Sequence, residues 1–445
     1  MAEPIISVSG LRGVVGDSLT PEIARRYVKA FAQVAPPGAM VVTRDGRASG
    51  QALADVVCDA IQAAGRKAVD AGVAATPTTG VLVRQLSAAG GVQISASHNP
   101  AEYNGLKLFS EEGRVLTAAA GRNVLECYGT PAVGLHGKGP RGHSTDTIAR
   151  HADLILATID AERIRRRHFK VLLDSNHGAG SLLGKHLLAE LGCQLTLLGG
   201  EPDGRFEHQP EPTAENLEGM LSRVSEVAAD VGFCQDPDAD RLAVIDEGGR
   251  YLGEEYTLAL CCDHVLRNGP GPVVTNCSTS RMTEDLAAKY KVPFFRSAVG
   301  EANVVETMMT RGAVLGGEGN GGVIDPRVGY VRDSFVGMAL LLDAMAAREL
   351  PSSALADELP RYNIVKTKLQ LAPERVPAAI DALATHFAEA RIDRLDGLRL
   401  DWPGKWLLVR ASNTEPIVRA IAEAPTAVEA QRLCDEAAAV MQSGA

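Results

Sequence analysis

One unit recurs three times along the 445 residues, and this recurrence limits the possible folds more than any other feature of the chain. Met40-Val41-Val42-Thr43 meets the polar turn Arg44-Asp45-Gly46-Arg47 and then a helical pattern over 51–64. Val171-Leu172-Leu173-Asp174 meets Ser175-Asn176-His177-Gly178-Ala179-Gly180 and a helix running to 191. Val273-Val274-Thr275-Asn276 meets Cys277-Ser278-Thr279-Ser280 and a helix running to 290. A second short apolar run follows each helix, at 67–69, 194–198 and 292–295. Strand, small-residue turn, helix and strand is the signature of a parallel or mixed sheet covered by helices. Three copies predict three related α/β domains.

Beyond about residue 360 the pattern changes. Strands are expected at 362–371, 398–400, 406–409 and 417–422, and helices at 377–391 and 426–441, with Pro377 at a first turn where its missing N–H costs little. This predicts a smaller α+β domain. The Gly- and Pro-rich stretch 128–144 reads as a loop or linker. The expected architecture is α/β: three related mixed α/β domains at 1–148, 149–252 and 253–360, plus a smaller C-terminal α+β domain at 361–445.

Composition excludes several function classes. Asp plus Glu number 55 against 45 Lys plus Arg, a net charge of −10, which opposes general nucleic-acid affinity. Aromatics are 4%, too few for a base-stacking platform. No apolar run approaches the roughly 20 residues of a membrane span. Met1-Ala2-Glu3-Pro4 lacks the basic lead of a signal peptide, and the eight cysteines form no C-x-x-C pair. A cytoplasmic location with reduced core thiols is therefore expected.

Four segments can carry chemistry. Ile94-Ser95-Ala96-Ser97-His98-Asn99-Pro100 places a serine in a small-residue turn after an apolar run. A hydrolase reading is disfavoured, because adjacent Ser and His rarely face one another and the flanks lack G-x-S-x-G; a plain Asn-Pro turn is the alternative. Asp236-Pro237-Asp238-Ala239-Asp240-Arg241 alternates three carboxylates, which an extended segment projects to one side. An EF-hand is excluded by Arg241 where glycine is required, so Mg²⁺ fits better than Ca²⁺. Three unneutralised carboxylates between apolar strands would repel, which favours metal over a solvated turn. Gly316-Gly317-Glu318-Gly319-Asn320-Gly321-Gly322 allows close backbone approach while Glu318 and Asn320 select hydroxyls, a flexible turn being the alternative. Arg410-Ala411-Ser412-Asn413-Thr414-Glu415-Pro416, with Arg419, suits a phosphate dianion, against a polar hairpin. Ser9-Gly10-Leu11-Arg12-Gly13 and Tyr103-Asn104-Gly105-Leu106-Lys107 each set one cation beside a glycine turn.

These segments occur once each, in order, one per expected domain. In this the chain resembles the α-D-phosphohexomutase family over nearly its whole length, with Ser-His-Asn-Pro and Asp-Pro-Asp-x-Asp-Arg as the specific motifs. The resemblance implies four domains around a central cleft. It implies a mutase that interconverts hexose 6-phosphate and hexose 1-phosphate through a phosphoserine and a hexose 1,6-bisphosphate. Ser97 would be the phosphorylated nucleophile, with His98 beside it. Asp236, Asp238 and Asp240 would bind Mg²⁺ together with the phosphoserine oxygen, flanked by Arg241. Glu318 and Asn320 would read sugar hydroxyls. Arg410, Ser412, Asn413, Thr414 and Arg419 would hold the phosphate that is not reacting, in a domain expected to close as a mobile clamp. Arg12 and Lys107 would line the reacting side, Lys107 as general acid or base.

Two departures bear on the sugar. The usual Glu-x-Ser-Gly-His loop is Glu318-Gly319-Asn320-Gly321-Gly322 here, and Ser9 stands where many relatives carry aspartate. Both resemble the branch containing phosphoglucosamine mutases and dual-specificity glucose enzymes. Glucosamine phosphate is the expected substrate, on the argument that Gly322 leaves room and removes a cation near an amino-bearing sugar. Phosphoglucomutase or phosphomannomutase activity is the alternative, then a metal-dependent sugar phosphatase or a non-catalytic phosphosugar-binding regulator. The expected partner is a small phosphosugar, with no nucleic acid or membrane, and the chain a monomer or homodimer.

Overall fold

The computed structural model describes residues 4–7, 10–130, 137–411 and 417–443. Each of the first three units carries the same four strands in the same spatial order. In the first, Met40–Arg44 lies between Ala68–Val73 and Gly90–Ile94, parallel to both, and Tyr103–Ser110 runs antiparallel beside Gly90–Ile94. In the second, Lys170–Asp174 lies between Gln194–Leu198 and Val231–Gln235, with Leu242–Asp246 antiparallel outside. In the third, Val273–Asn276 lies between Phe294–Ser297 and Leu315–Glu318, with Gly322–Ile324 antiparallel outside. The central strands read as continuous apolar runs because helices cover both faces. The helices Gly50–Ala63, Gly180–Glu190 and Met282–Tyr290 each return the chain from the first strand to the second.

This repetition places the chemistry. In every unit the chain turns from the third, parallel strand into the fourth, antiparallel one at the same topological point. Those turns span 95–102, 236–241 and 319–321. Each opens at the carboxyl end of parallel strands, where α/β sheets bind ligands.

The second and third units share a core. The helix Ser334–Arg348 is buried from Ser334 through Ala346, as expected of a helix apolar on all sides. Around it one cluster runs from Leu173 and Phe233 through Leu258 and Phe335 to Val273 and Leu315. The fourth unit has its own core, including Leu383, Leu400, Val409 and Leu433, on a five-stranded antiparallel sheet.

Two expectations are corrected. The stretch 128–144 is not wholly linker: Arg141–His143 pairs in parallel with Ala68–Val73 and covers what would otherwise be an open sheet edge. Arg141 fixes it there through Asp70 at 2.7 Å and Asp55 at 2.8 Å. The helix expected over 377–391 is Val376–His386, because Arg391–Asp393 is needed as the edge strand of the last sheet. The fourth unit contacts the third through several buried groups. Trp406 is fully buried and donates to Glu423 at 2.7 Å, while the Arg281 amide of the third unit donates to the same oxygen at 2.9 Å. Arg296 pairs with Asp401 at 3.0 Å, and Arg399 donates to the Cys277 carbonyl.

All eight cysteines are free and six are buried. Among the described residues no helix is long and apolar enough to cross a membrane.

Candidate active site

Ser97 sits at φ +52°, a left-handed conformation uncommon outside glycine, and is 1% exposed. A buried scaffold holds it there. Arg47 donates to the carbonyls of Ser97 at 2.8 Å, Asn99 at 2.6 Å, Pro100 at 2.5 Å and Tyr103 at 2.9 Å. Asp45 pairs with Arg47 at 3.1 Å and accepts from Ser95 at 2.7 Å, and the Ser95 hydroxyl accepts from the Ser97 amide at 2.9 Å. One guanidinium thus gathers the turn by its backbone and leaves the Ser97 hydroxyl free to point elsewhere.

That hydroxyl donates to Asp236 Oδ2 at 2.9 Å, across 139 residues of chain. The serine turn of the first unit therefore faces the acidic turn of the second. Asp236, Asp238 and Asp240 are all fully buried, with ligand oxygens within 4.8 Å of one another. The other Asp236 oxygen accepts from the amides of Asp240 and Arg241, both at 3.1 Å. Asp238 Oδ1 and Asp240 Oδ1 have no hydrogen-bond partner among the described residues. Orphaned buried carboxylate oxygens are costly, and hard oxygen donors in this number suit a small divalent cation. The donor set therefore fits a metal ion.

The acidic turn is not unneutralised, contrary to the sequence-based argument for metal. Lys107 reaches Asp238 at 2.5 Å and Asp240 at 2.8 Å, and Arg332 reaches Asp240 at 2.7 Å. The metal assignment therefore rests on the orphaned oxygens and the close spacing rather than on uncompensated charge. Burial and the neighbouring Asp238 and Asp240 push the Asp236 carboxyl well up. Burial pushes Asp238 the same way, but the Lys107 ammonium overrides it and holds Asp238 below the usual carboxylate range. Burial opposes the Lys107 charge, yet the two aspartates keep its pKa raised. His98 is different: burial, Arg241 and Arg12 push it down to about 3, so its ring is neutral near pH 7. Its Nδ1 lies 3.4 Å from the Ser97 hydroxyl.

The remaining candidates have the following partners. Arg12 Nη1 donates to Asn99 at 3.4 Å. Arg241 lies 3.3 Å from Glu211 and 3.9 Å from Asp240. In the third unit, Glu318 accepts from Asn276 at 2.7 Å, the Gly300 amide at 3.1 Å and Arg332 at 3.0 Å. Asn320 Oδ1 is buried without a partner among the described residues. Arg410 and Arg419 stand opposite one another across paired strands. Arg410 also donates to Asp396 at 3.2 Å. Ser412, Asn413 and Thr414 lie outside the described residues, as does Ser9.

Sequence reasoning missed several participants. Arg332, 8% exposed, joins Asp240 of the acidic turn to Glu318 of the glycine-rich turn and to Glu301 at 3.3 Å. Thr76 donates to Asp238 at 2.5 Å and so ties the first unit to the acidic turn. His151 bridges Thr78 at 2.9 Å and Asp333 at 2.7 Å, fixing the residue after Arg332. None of these lies in a local motif. Arg47 was visible only as part of a polar turn.

Comparison with known proteins gives the same division of the chain. Family models described as phosphoglucomutase/phosphomannomutase alpha/beta/alpha domains I, II and III match residues 5–131, 149–249 and 254–362, and the model for the C-terminal domain matches 365–440. The chain is 36% identical over 434 residues to a phosphoglucomutase/phosphomannomutase of Thermococcus kodakarensis, covering 95% of each chain. It is 32% identical to a probable phosphoglucosamine mutase of Methanopyrus kandleri, covering 96% of this chain and 95% of the relative. It is 31% identical to a phosphoglucosamine/phosphogalactosamine mutase of Sulfurisphaera tokodaii, covering 97% and 98%. Among solved structures, a phosphoglucomutase/phosphomannomutase family protein from Burkholderia thailandensis superposes with a TM-score of 0.86 at 28% identity, covering 99% of this chain and 98% of that one.

Proposed function

The chain belongs to the phosphoglucomutase/phosphomannomutase family and is a phosphohexose mutase, and from that premise we propose that it converts glucosamine 6-phosphate to glucosamine 1-phosphate with Ser97 as phosphoryl carrier and Mg²⁺ as its metal. The observation that carries the proposal is the 2.9 Å contact between the Ser97 hydroxyl and Asp236, which joins nucleophile and metal loop across two units. Names of relatives that include phosphoglucosamine mutase support the choice of sugar.

Phosphoryl transfer depends on in-line positioning and on neutralising the equatorial oxygens, more than on strong acid–base chemistry. Asp236, Asp238 and Asp240 would hold the metal, which supplies Lewis-acid neutralisation of phosphoryl charge when bound. Ser97 in its phosphorylated form gives the phosphoryl group to the free hydroxyl of the sugar: the Ser97 O–P bond breaks as the sugar O–P bond forms, the sugar hydroxyl proton leaves to a base, and the freed Ser97 oxygen takes up a proton. This makes a hexose 1,6-bisphosphate. The bisphosphate turns over, its other phosphate returns to Ser97, and the isomer departs. Lys107, held protonated by two aspartates, enters this cycle as an acid, and serves as a base only after shedding that proton. Arg410 and Arg419 grip whichever phosphate is not reacting. A bidentate electrostatic grip suits a ligand that presents either end.

The glucosamine assignment no longer rests on an empty space at Gly322. Arg332 fills that space, so a cation is present after all, balanced by Asp240, Glu301 and Glu318. A mutase assay across glucosamine, glucose and mannose 1- and 6-phosphates, each with its bisphosphate, tests the reading. Highest kcat/KM with glucosamine phosphate is expected. Highest kcat/KM with mannose phosphate removes the sugar assignment, and release of inorganic phosphate without isomer would make the protein a phosphatase.

A further inference from the structure

The turn that carries Arg47 is packed backbone to backbone against the second unit. A Cβ on Gly46 would lie 2.4 Å from the His177 carbonyl oxygen and 2.8 Å from the Pro202 carbonyl carbon, and one on Gly204 would lie 2.7 Å from the Arg47 Cα. This close approach sets the Arg47 guanidinium over the Phe206 ring, with its Cζ 5.0 Å from the ring centroid. The second unit holds the segment around Phe206 in place. The Gly204 amide donates to the His177 carbonyl at 3.1 Å, the Glu207 amide donates to Asn176 Oδ1 at 2.8 Å, and His208 Nε2 lies 2.7 Å from Asp174 Oδ2.

The same stretch of the second unit also holds the acidic turn. The Ala179 amide donates to the Pro237 carbonyl at 2.8 Å, and a Cβ on Gly178 would lie 2.5 Å from that oxygen. Residues 174–179 therefore touch both the seat of Arg47 and the turn bearing Asp236. On the first-unit side, Arg47 is buried and every N–H of its guanidinium is engaged: Nε with Asp45, Nη1 with the carbonyls of Pro100 and Tyr103, Nη2 with those of Ser97 and Asn99. A left-handed residue other than glycine persists only where its surroundings over-determine it. At Ser97 the determinant is a guanidinium that rests on an aromatic ring of the second unit. Lysine would bring the charge without the planar fork that reaches several carbonyls at once.

We infer that Arg47 is a positioning residue for phosphoryl transfer and that Phe206 is its anchor in the second unit, an inference that rests on the reading of Ser97 as phosphoryl carrier and deepens it. Together they fix the Ser97 oxygen relative to Asp236, so that nucleophile and acidic turn are both referenced to residues 174–179. Neither side chain touches the reacting atoms; both act through the Ser97 backbone. When a hexose 1,6-bisphosphate charges Ser97, the Ser97 O–P bond forms as a sugar O–P bond breaks, and the Ser97 proton passes by way of a base to the freed sugar oxygen. In-line transfer tolerates little error in this placement: a displacement of about 1 Å costs about 100-fold in rate.

The test is the rate at which the 1,6-bisphosphate of glucosamine or of glucose, whichever charges wild type faster, phosphorylates Ser97 in full-length protein freed of phosphate beforehand, read by mass spectrometry over a range of bisphosphate concentrations. Wild type is compared with Arg47→Lys, Phe206→Leu and the double variant. At saturation Arg47→Lys should charge about 100-fold more slowly, and Phe206→Leu about tenfold more slowly, the scale of one desolvated cation–π contact. The half-saturating concentration should stay that of wild type in both, a split that general loss of structure would not produce. The double variant should be no slower than Arg47→Lys, because Phe206 acts only through the arginine. Phe206 is half-buried, so its variant keeps the test open should Arg47→Lys fold poorly. Wild-type rates in the single variants overturn the inference, as do losses that multiply in the double variant or that appear only as weaker binding. Failure of either bisphosphate to charge wild type removes the reading of Ser97 itself, and the inference with it.

Discussion

Gly322 and Arg332 occupy one space: a Cβ on Gly322 would lie 2.3 Å from the Arg332 Cδ and 2.8 Å from its Cγ. The missing side chain is what lets a guanidinium pass between Asp240 and Glu318, and so connects the acidic turn of one unit to the glycine-rich turn of the next. Gly322→Ala should push Arg332 out of this path. The expected cost is about 1–3 kcal/mol of stability, as for overpacking a tight site. Substrate KM should rise as well, read from urea unfolding and steady-state kinetics on the same protein. Wild-type stability and KM in this variant would show that the arginine has another route.

Arg332→Met removes the cation from a buried cluster of three carboxylates. Breaking a buried pair costs about 3–5 kcal/mol because the partners stay buried and charged. The loss should be smaller at low pH, where the carboxylates can protonate. Chemical denaturation at two pH values measures this, and equal losses at both would exclude the electrostatic explanation.

Ser97→Ala should abolish turnover together with the phosphate-sized mass increment on the peptide around residue 97. Intact-mass and peptide mass spectrometry report the second effect independently of activity. Full turnover in this variant would end the assignment of Ser97 as phosphoryl carrier.

Excess chelator should remove activity and Mg²⁺ should restore it. Asp238→Asn should need more Mg²⁺ for the same rescue, because Asp238 keeps one oxygen unpartnered for the ion. Activity unchanged by chelator would rule out the site.

His98 carries a pH signature. Its folded-state pKa is depressed to about 3, while the unfolded chain takes up the proton near 6.5. As pH falls below that value the unfolded state binds a proton that the folded state refuses, so stability declines until the folded pKa is reached. Wild type should therefore lose more stability than His98→Gln between pH 7 and pH 5. Parallel losses in the two proteins would mean that His98 titrates normally in the fold.

What could be read from the sequence was whatever is encoded within a few residues. The three repeated units, the serine turn, the alternating aspartates and the glycine-rich turn all lie in single short segments, where strand alternation and turn chemistry operate locally. Their shared topological position, between a third parallel and a fourth antiparallel strand, followed once the strands paired. Tertiary structure alone decided which side chains complete these segments. Arg332 meets Asp240 across 92 residues and Lys107 meets Asp238 across 131. Arg47 acts on carbonyls about 50 residues away, which no side-chain pattern can reveal because backbone acceptors look alike at every position. The same holds for the firm seat of the last unit, where Trp406 and Glu423 are buried against the third. A buried charge can sit wherever the fold brings it a partner, and the choice of partner is a property of the packed chain, not of any stretch of it.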